Sequence, residues 1–97
     1  MKLWFENSNG IERVIAECNT WSEVHKAIDE FIKECNNKKI TMAKDKYGKD
    51  YDISKINLFK QYYTRVWEQA DQRVRIDVGS HTEFFIWEGS MDDVRAD

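Results

Sequence analysis

Apolar residues fall at alternate positions near both ends of this chain and at three- and four-residue spacing between them. Leu3 to Glu6 and Glu12 to Ala16 flank Asn7-Ser8-Asn9-Gly10. Asn-Gly supplies the positive φ that both central residues of a type I′ turn require. With Asn9-Gly10 as the turn, Ser8 pairs with Ile11, Glu6 with Arg13, Phe5 with Val14, Trp4 with Ile15 and Leu3 with Ala16. This register predicts a hairpin with Leu3, Phe5, Val14 and Ala16 on one face, and Glu6 against Arg13 is a favourable cross-strand pair.

Thr20-Trp21-Ser22-Glu23 reads as a capping box, with the Thr hydroxyl and the Glu carboxylate satisfying amides at a helix start. Val24, Ala27, Ile28, Phe31, Ile32 and Cys35 then recur at helical spacing. The helix is expected to fade near Asn36-Asn37, with His25 on its solvent-exposed polar side. Residues 38–60 give weaker signals: Ile40-Thr41-Met42 as a short strand, Tyr47-Gly48-Lys49 as a turn and Ser54 to Phe59 as a further helical turn.

Alternation returns in Tyr62 to Trp67, Arg73 to Val78 and Glu83 to Trp87. Tyr62, Thr64 and Val66 share a face, as do Val74, Ile76 and Val78, and as do Phe84 and Ile86. For these sets to meet across antiparallel pairs, each connecting loop must hold an odd number of residues. The predicted fold is α+β: a single antiparallel sheet of about five strands with one amphipathic helix on one face, order ββα-βββ. A single domain over 1–97 is expected, with 38–60 as a variable Lys-rich segment and 89–97 as a frayed acidic tail.

Composition narrows the function classes. Four Trp, four Tyr and five Phe supply a core for 97 residues. No apolar run is long enough to span a membrane, and no signal-peptide stretch opens the chain, so a cytoplasmic protein is expected. A net charge of -3 argues against general nucleic-acid binding. Residues 38–60 nonetheless carry seven Lys against three Asp, which reads as a solvated loop, with a phosphate-attracting loop as the alternative. Cys18 and Cys35, at opposite ends of the helix and about 22 Å apart at 1.5 Å per residue, lie beyond disulfide reach. With His25 and His81 they show no zinc-site spacing, and no metal or cofactor is expected.

The same register fixes the opposite face of the sheet. Trp67 falls beside Arg73 and Trp87, Arg65 beside Arg75 and Phe85, and Tyr63 beside Asp77 and Glu83; Trp4 and Ile15 extend this face. Arg65 opposite Arg75 places like charges across a strand pair, which calls for an offsetting group. That group can be an anionic ligand, a partner's carboxylate, a carboxylate from 38–60 or the tail, or water and salt. Arg with Trp and Tyr is also the composition of protein–protein hot spots, and the aromatics can stack on a base. Candidate binding residues are therefore Arg65, Arg73, Arg75, Trp67, Trp87, Tyr63 and Phe85. Two ligand classes stay open: a protein partner, and a phosphorylated small molecule or signalling nucleotide. A homodimer burying this face is compatible with either, and so is a face covered by the chain's own apolar residues from 38–60. Asp77, Ser80, His81 and Glu83 gather the residue types of a hydrolase at one strand turn. Gly-Ser-His-Thr is ordinary turn chemistry, however, and no nucleophile elbow, phosphate loop or metal motif is present. The expected protein is not an enzyme.

Tyr62-Tyr63-Thr64-Arg65-Val66-Trp67, followed by Ile76-Asp77-Val78-Gly79-Ser80-His81-Thr82-Glu83-Phe84-Phe85, resembles small uncharacterised proteins encoded by bacteriophages and prophages. The resemblance covers about two thirds of the chain, with 39–60 standing as an insertion, and it brings no activity or catalytic residues with it. It implies a setting inside an infected or lysogenic bacterium and a partner drawn from host or phage proteins, host defence systems included.

Overall fold

In the computed structural model residues 1–8, 10–45, 47–53, 64–79 and 82–96 are described. Helix α1, Trp21–Asn36, starts where the capping chemistry predicts. The Glu23 amide donates to Thr20 Oγ1 at 3.2 Å, and the Asn19 amide donates to the Glu23 carboxylate at 3.2 Å. Both bonds satisfy amides that no helical carbonyl reaches. At the other end the amides of Lys38 and Lys39 donate to the carbonyls of Cys35 and Glu34 at 3.1 and 2.9 Å, a Schellman closure around Lys38 at φ 60. A left-handed residue bearing a side chain costs roughly 1 kcal/mol that glycine avoids. Lys38→Gly is therefore expected to stabilise by about 0.5–1 kcal/mol, read as a higher thermal midpoint. An unchanged or lowered midpoint would show that the Lys38 side chain contributes as much as its backbone strain removes.

Strands β1 (Lys2–Asn7) and β2 (Glu12–Glu17) precede α1, a short hairpin of β3 (Met42–Lys44) and β4 (Asp50–Asp52) follows it, and β5 (Arg65–Glu68), β6 (Val74–Asp77) and β7 (Glu83–Trp87) lead to helix α2 (Met91–Ala96). Five strands form one antiparallel sheet in the order β2-β1-β7-β6-β5. The α+β class, the sheet and the helix against one of its faces are as expected. Phe31 of α1 packs on Phe5 and Phe85 with ring centroids 5.0 and 5.9 Å apart.

The registers differ from expectation in three places. The first turn closes on Asn7 and Ile11, one residue wider than a type I′ turn, with Gly10 at φ +86; Asn9 lies outside the described residues. Phe5 thus opposes Arg13 and Trp4 opposes Val14, until a bulge restores Leu3 opposite Ala16. Val14, expected in the core, faces outward at 39% exposure. Ile15, expected outside, packs against the core from the bulge.

In β6 and β7 the pairs are Val74 with Trp87, Arg75 with Ile86 and Ile76 with Phe85. This is one residue from the expected register, and a one-residue shift turns every side chain of a strand over. Phe85 and Trp87 are therefore core residues, while Phe84 and Ile86 face the other way. The reason is size: Phe and Trp bury more apolar area under α1 than Phe and Ile would. The Trp87 indole also finds an acceptor there, donating to the Cys18 carbonyl at 3.1 Å. β5 slides by two residues, keeping its faces but changing its partners to Arg65 with Asp77 and Trp67 with Arg75. The turn before β6 is organised by Asp71, whose carboxylate accepts from the Arg73 amide at 3.0 Å, with Gln72 at φ 71 beside it.

Three further expectations change. The tail forms α2, because Ser90 Oγ accepts from the Asp93 amide at 3.2 Å while the Asp93 carboxylate accepts from the Ser90 amide at 3.1 Å; Met91 and Val94 pack against the core. In 38–60 the strand lies at Met42–Lys44, and Asp45 organises the expected turn by accepting from the Tyr47 and Lys49 amides at 2.9 and 2.8 Å. The helical turn expected at 54–59 lies outside the described residues. His25 is half-buried, its ring edge-on to Trp21 at 4.7 Å. Cys18 and Cys35 are free and buried, and burial pushes the Cys35 thiol up to about 11. No described helix is long and apolar enough to cross a membrane.

Candidate functional site

The face of the sheet turned away from α1 carries Trp4 and Glu6 from β1, Phe84 and Ile86 from β7, Arg75 and Asp77 from β6, and Arg65 and Trp67 from β5. Strand alternation alone places them together. The expected opposition of Arg65 and Arg75 does not exist here; each guanidinium meets a carboxylate. Arg65 Nη2 lies 2.5 Å from Asp77 Oδ2, directly across the strand pair. Arg75 Nη2 reaches over β7 to Glu6 Oε1 at 2.9 Å, and its Nε donates to Gln69 Oε1 at 2.9 Å. The same guanidinium lies over the Phe84 ring, 4.6 Å from its centroid.

The two pairs differ in their surroundings. Arg65 is 56% exposed while the Asp77 side chain is fully buried. Asp77 Oδ1 also accepts from the Gly79 amide at 2.7 Å, which anchors the carboxylate to the backbone beyond β6. Arg75 and Glu6 are both largely covered. Arg73, just before β6, pairs with Asp71 at 2.8 Å. Hydrogen bonds from the Arg73 amide and then its guanidinium hold the Asp71 carboxyl below its usual range.

Of the residues singled out in the sequence, Arg65, Arg73, Arg75 and Trp67 lie on this side of the sheet. Trp87 and Phe85 lie in the core beneath α1, so they are no part of a binding face. Tyr63 lies outside the described residues. The residues that sequence reasoning missed are the two carboxylates. The sequence register matches Glu6 to Arg13 and Asp77 to Tyr63; an uncompensated Arg pair on a sheet signals acids within reach, here Asp77 two residues from Arg75 along β6 and Glu6 across β7.

Trp67 stands apart from its neighbours. Among the described residues it lies on an edge strand, with 38% of its surface exposed, and the Arg65 guanidinium carbon sits 6.0 Å from its ring centroid. The hydrolase residue types are not assembled among the described residues. Asp77 is engaged by Arg65 and Gly79, Glu83 accepts from Thr82 Oγ1, and Ser80 and His81 lie outside the description. Among the described residues no group of three or more His, Cys, Asp or Glu side chains has metal-site geometry. No family model, curated protein or solved structure matches this chain.

Proposed function

We propose that this chain is a non-enzymatic binding protein that engages a host or phage protein through the outer sheet face at its β5 edge, with Trp67 as the anchor and Arg65 beside it. The carrying observation is an exposed indole stacked near a half-exposed guanidinium on an edge strand. Trp and Arg are the residue types that concentrate binding energy in protein interfaces. The phage or prophage setting, inside a bacterial cell, rests on the sequence resemblance alone. The nucleotide reading loses its motive, because the Arg65–Arg75 opposition that called for an anion is replaced by two ion pairs within the chain.

The test is quantitative affinity capture from bacterial lysate with the native chain and Trp67→Ala as parallel baits. Trp67→Ala is the cleaner probe, since removing Arg65 or Arg75 strips a carboxylate of its counter-charge. A protein enriched by the native bait is expected to bind the variant at least about 30-fold more weakly, the loss of a hot spot, at an unchanged thermal midpoint. Equal enrichment by both baits would remove Trp67 from the interface.

A further inference from the structure

At the opposite side of the sheet, β2 ends the strand order. β3 lies beside its start: Asp45, just after β3, bridges Ile11, just before β2, and Arg13 Nη1 donates to the Met42 carbonyl at 3.1 Å. From Glu12 to Glu17 no strand among the described residues pairs with the outer edge of β2. Between β2 and the β3–β4 hairpin lies a cleft of about 450 Å³ lined by Glu12, Arg13, Met42, Ala43, Lys44 and Asp50. On its helix side the same strand borders a second cleft of about 300 Å³, walled by Ile15, Ala16, Ala27, Phe31 and Ile40 with Glu30 and Glu34 beside them. A third, of about 290 Å³, continues it past Ala27 to Glu17, Glu23 and Lys26.

The walls select an occupant. A free strand edge offers main-chain donors and acceptors to an extended chain. Acids prevail along the groove: Glu12, Glu17, Glu23, Glu30, Glu34 and Asp50 against Arg13, Lys26 and Lys44. Lys44 pairs with Asp50 at 2.7 Å and Arg13 meets the Met42 carbonyl at 3.1 Å. Glu17 pairs with the N-terminal ammonium at 3.3 Å and Glu23 accepts from the Asn19 amide, so the excess of acids lies at Glu12, Glu30 and Glu34. A second copy of the strand fits poorly, because full-length antiparallel pairing of β2 with itself sets Glu12 opposite Glu17 at both ends.

We propose that the β2 edge accepts an extended segment of a partner protein, rich in Lys or Arg and in aliphatic residues, as an added strand. Its main chain pairs with β2, its aliphatic side chains enter the cleft by Ala27 and Phe31, and its cations meet Glu30 and Glu34. This surface is separate from Trp67, and the proposal stands without the outer-face reading.

The experiment is a fluorescence-anisotropy titration of the purified chain with a labelled Lys-Val octapeptide. The same peptide N-methylated at alternate residues and a Glu-Val octapeptide run beside it. The Lys-Val peptide is expected to bind, with weaker binding at higher salt and slower amide exchange over Glu12–Glu17. N-methylation, or the double substitution Glu30→Lys with Glu34→Gln, is expected to weaken it about tenfold or more. Trp67→Ala is expected to leave it unchanged. No binding by the Lys-Val peptide overturns the proposal, and equal binding by the N-methylated peptide overturns strand addition. Insensitivity to the Glu30 and Glu34 changes moves the contact elsewhere and likewise overturns it. Concentration-dependent dimerisation blocked by Val14→Lys makes a second copy the occupant and overturns the partner assignment.

Discussion

Trp87→Ala is expected to lower the unfolding free energy by about 3–5 kcal/mol, the range for deleting a large buried aromatic. The indole is fully buried, packs 5.9 Å from Trp21 by ring centroids, and donates to the Cys18 carbonyl at 3.1 Å. It also fills space that the backbone leaves for it: a Cβ added at Gly89 would lie 2.5 Å from Trp87 Cη2. Truncation therefore opens a cavity and strips a buried carbonyl of its donor at once. Trp87→Phe restores most of the volume but not the N–H, and is expected to retain a loss of about 1–3 kcal/mol. Gly89→Ala attacks the same contact from the other side and is expected to cost about 1–3 kcal/mol by overpacking. Denaturant midpoints check all three. A Trp87→Ala loss below about 0.5 kcal/mol, the scale of a surface substitution, would return Trp87 to the outer face.

The outcome at Trp87 shows what periodicity can and cannot reveal. The capped helix was readable because its signals agree: Thr20 and Glu23 at the start, and apolar residues at 3.6-residue spacing after them. The antiparallel sheet was readable as a class for the same reason. Its registers were not. Glu83 to Trp87 is apolar on both faces, with Phe85 and Trp87 on one and Phe84 and Ile86 on the other, so alternation cannot say which set faces the helix. Only the competition for volume beneath Phe31 and beside Trp21 decides it, and that competition is tertiary. α2 was missed because the tail was read by its acids; Ser90 followed three residues later by Asp93 is a cap that the sequence displays.

The site followed the sheet. Arg65, Arg75 and Trp67 were found on the correct face because their strands slid by an even number of residues, or not at all, relative to the helix side. Trp87 and Phe85 were misplaced because β7 slid by one. A face assignment is thus only as good as the parity of the loop before the strand. The partners of the two arginines required reach as well as parity, since Glu6 contacts Arg75 across an intervening strand.

Asp77→Ala is expected to cost about 2–3 kcal/mol, with two contributions that a double-mutant cycle separates. The carboxylate is fully buried, faces Arg65 at 2.5 Å and accepts from the buried Gly79 amide at 2.7 Å. Removing it orphans that amide, while Arg65, 56% exposed, is already solvated. The loss should therefore fall below the roughly 3–5 kcal/mol seen when a buried charge is left without its partner. Asp77→Asn keeps an oxygen for the Gly79 amide and should recover about half of the loss. Arg65→Ala leaves the negative charge inside and should cost more than Asp77→Ala, toward about 3–5 kcal/mol, although it removes the more exposed member. The coupling energy of Arg65→Ala with Asp77→Ala is expected near 1–2 kcal/mol, about twice that of an exposed ion pair. A coupling under about 0.5 kcal/mol would reduce the pair to surface electrostatics. Arg65 would then be able to exchange Asp77 for a partner's carboxylate at little cost to the fold.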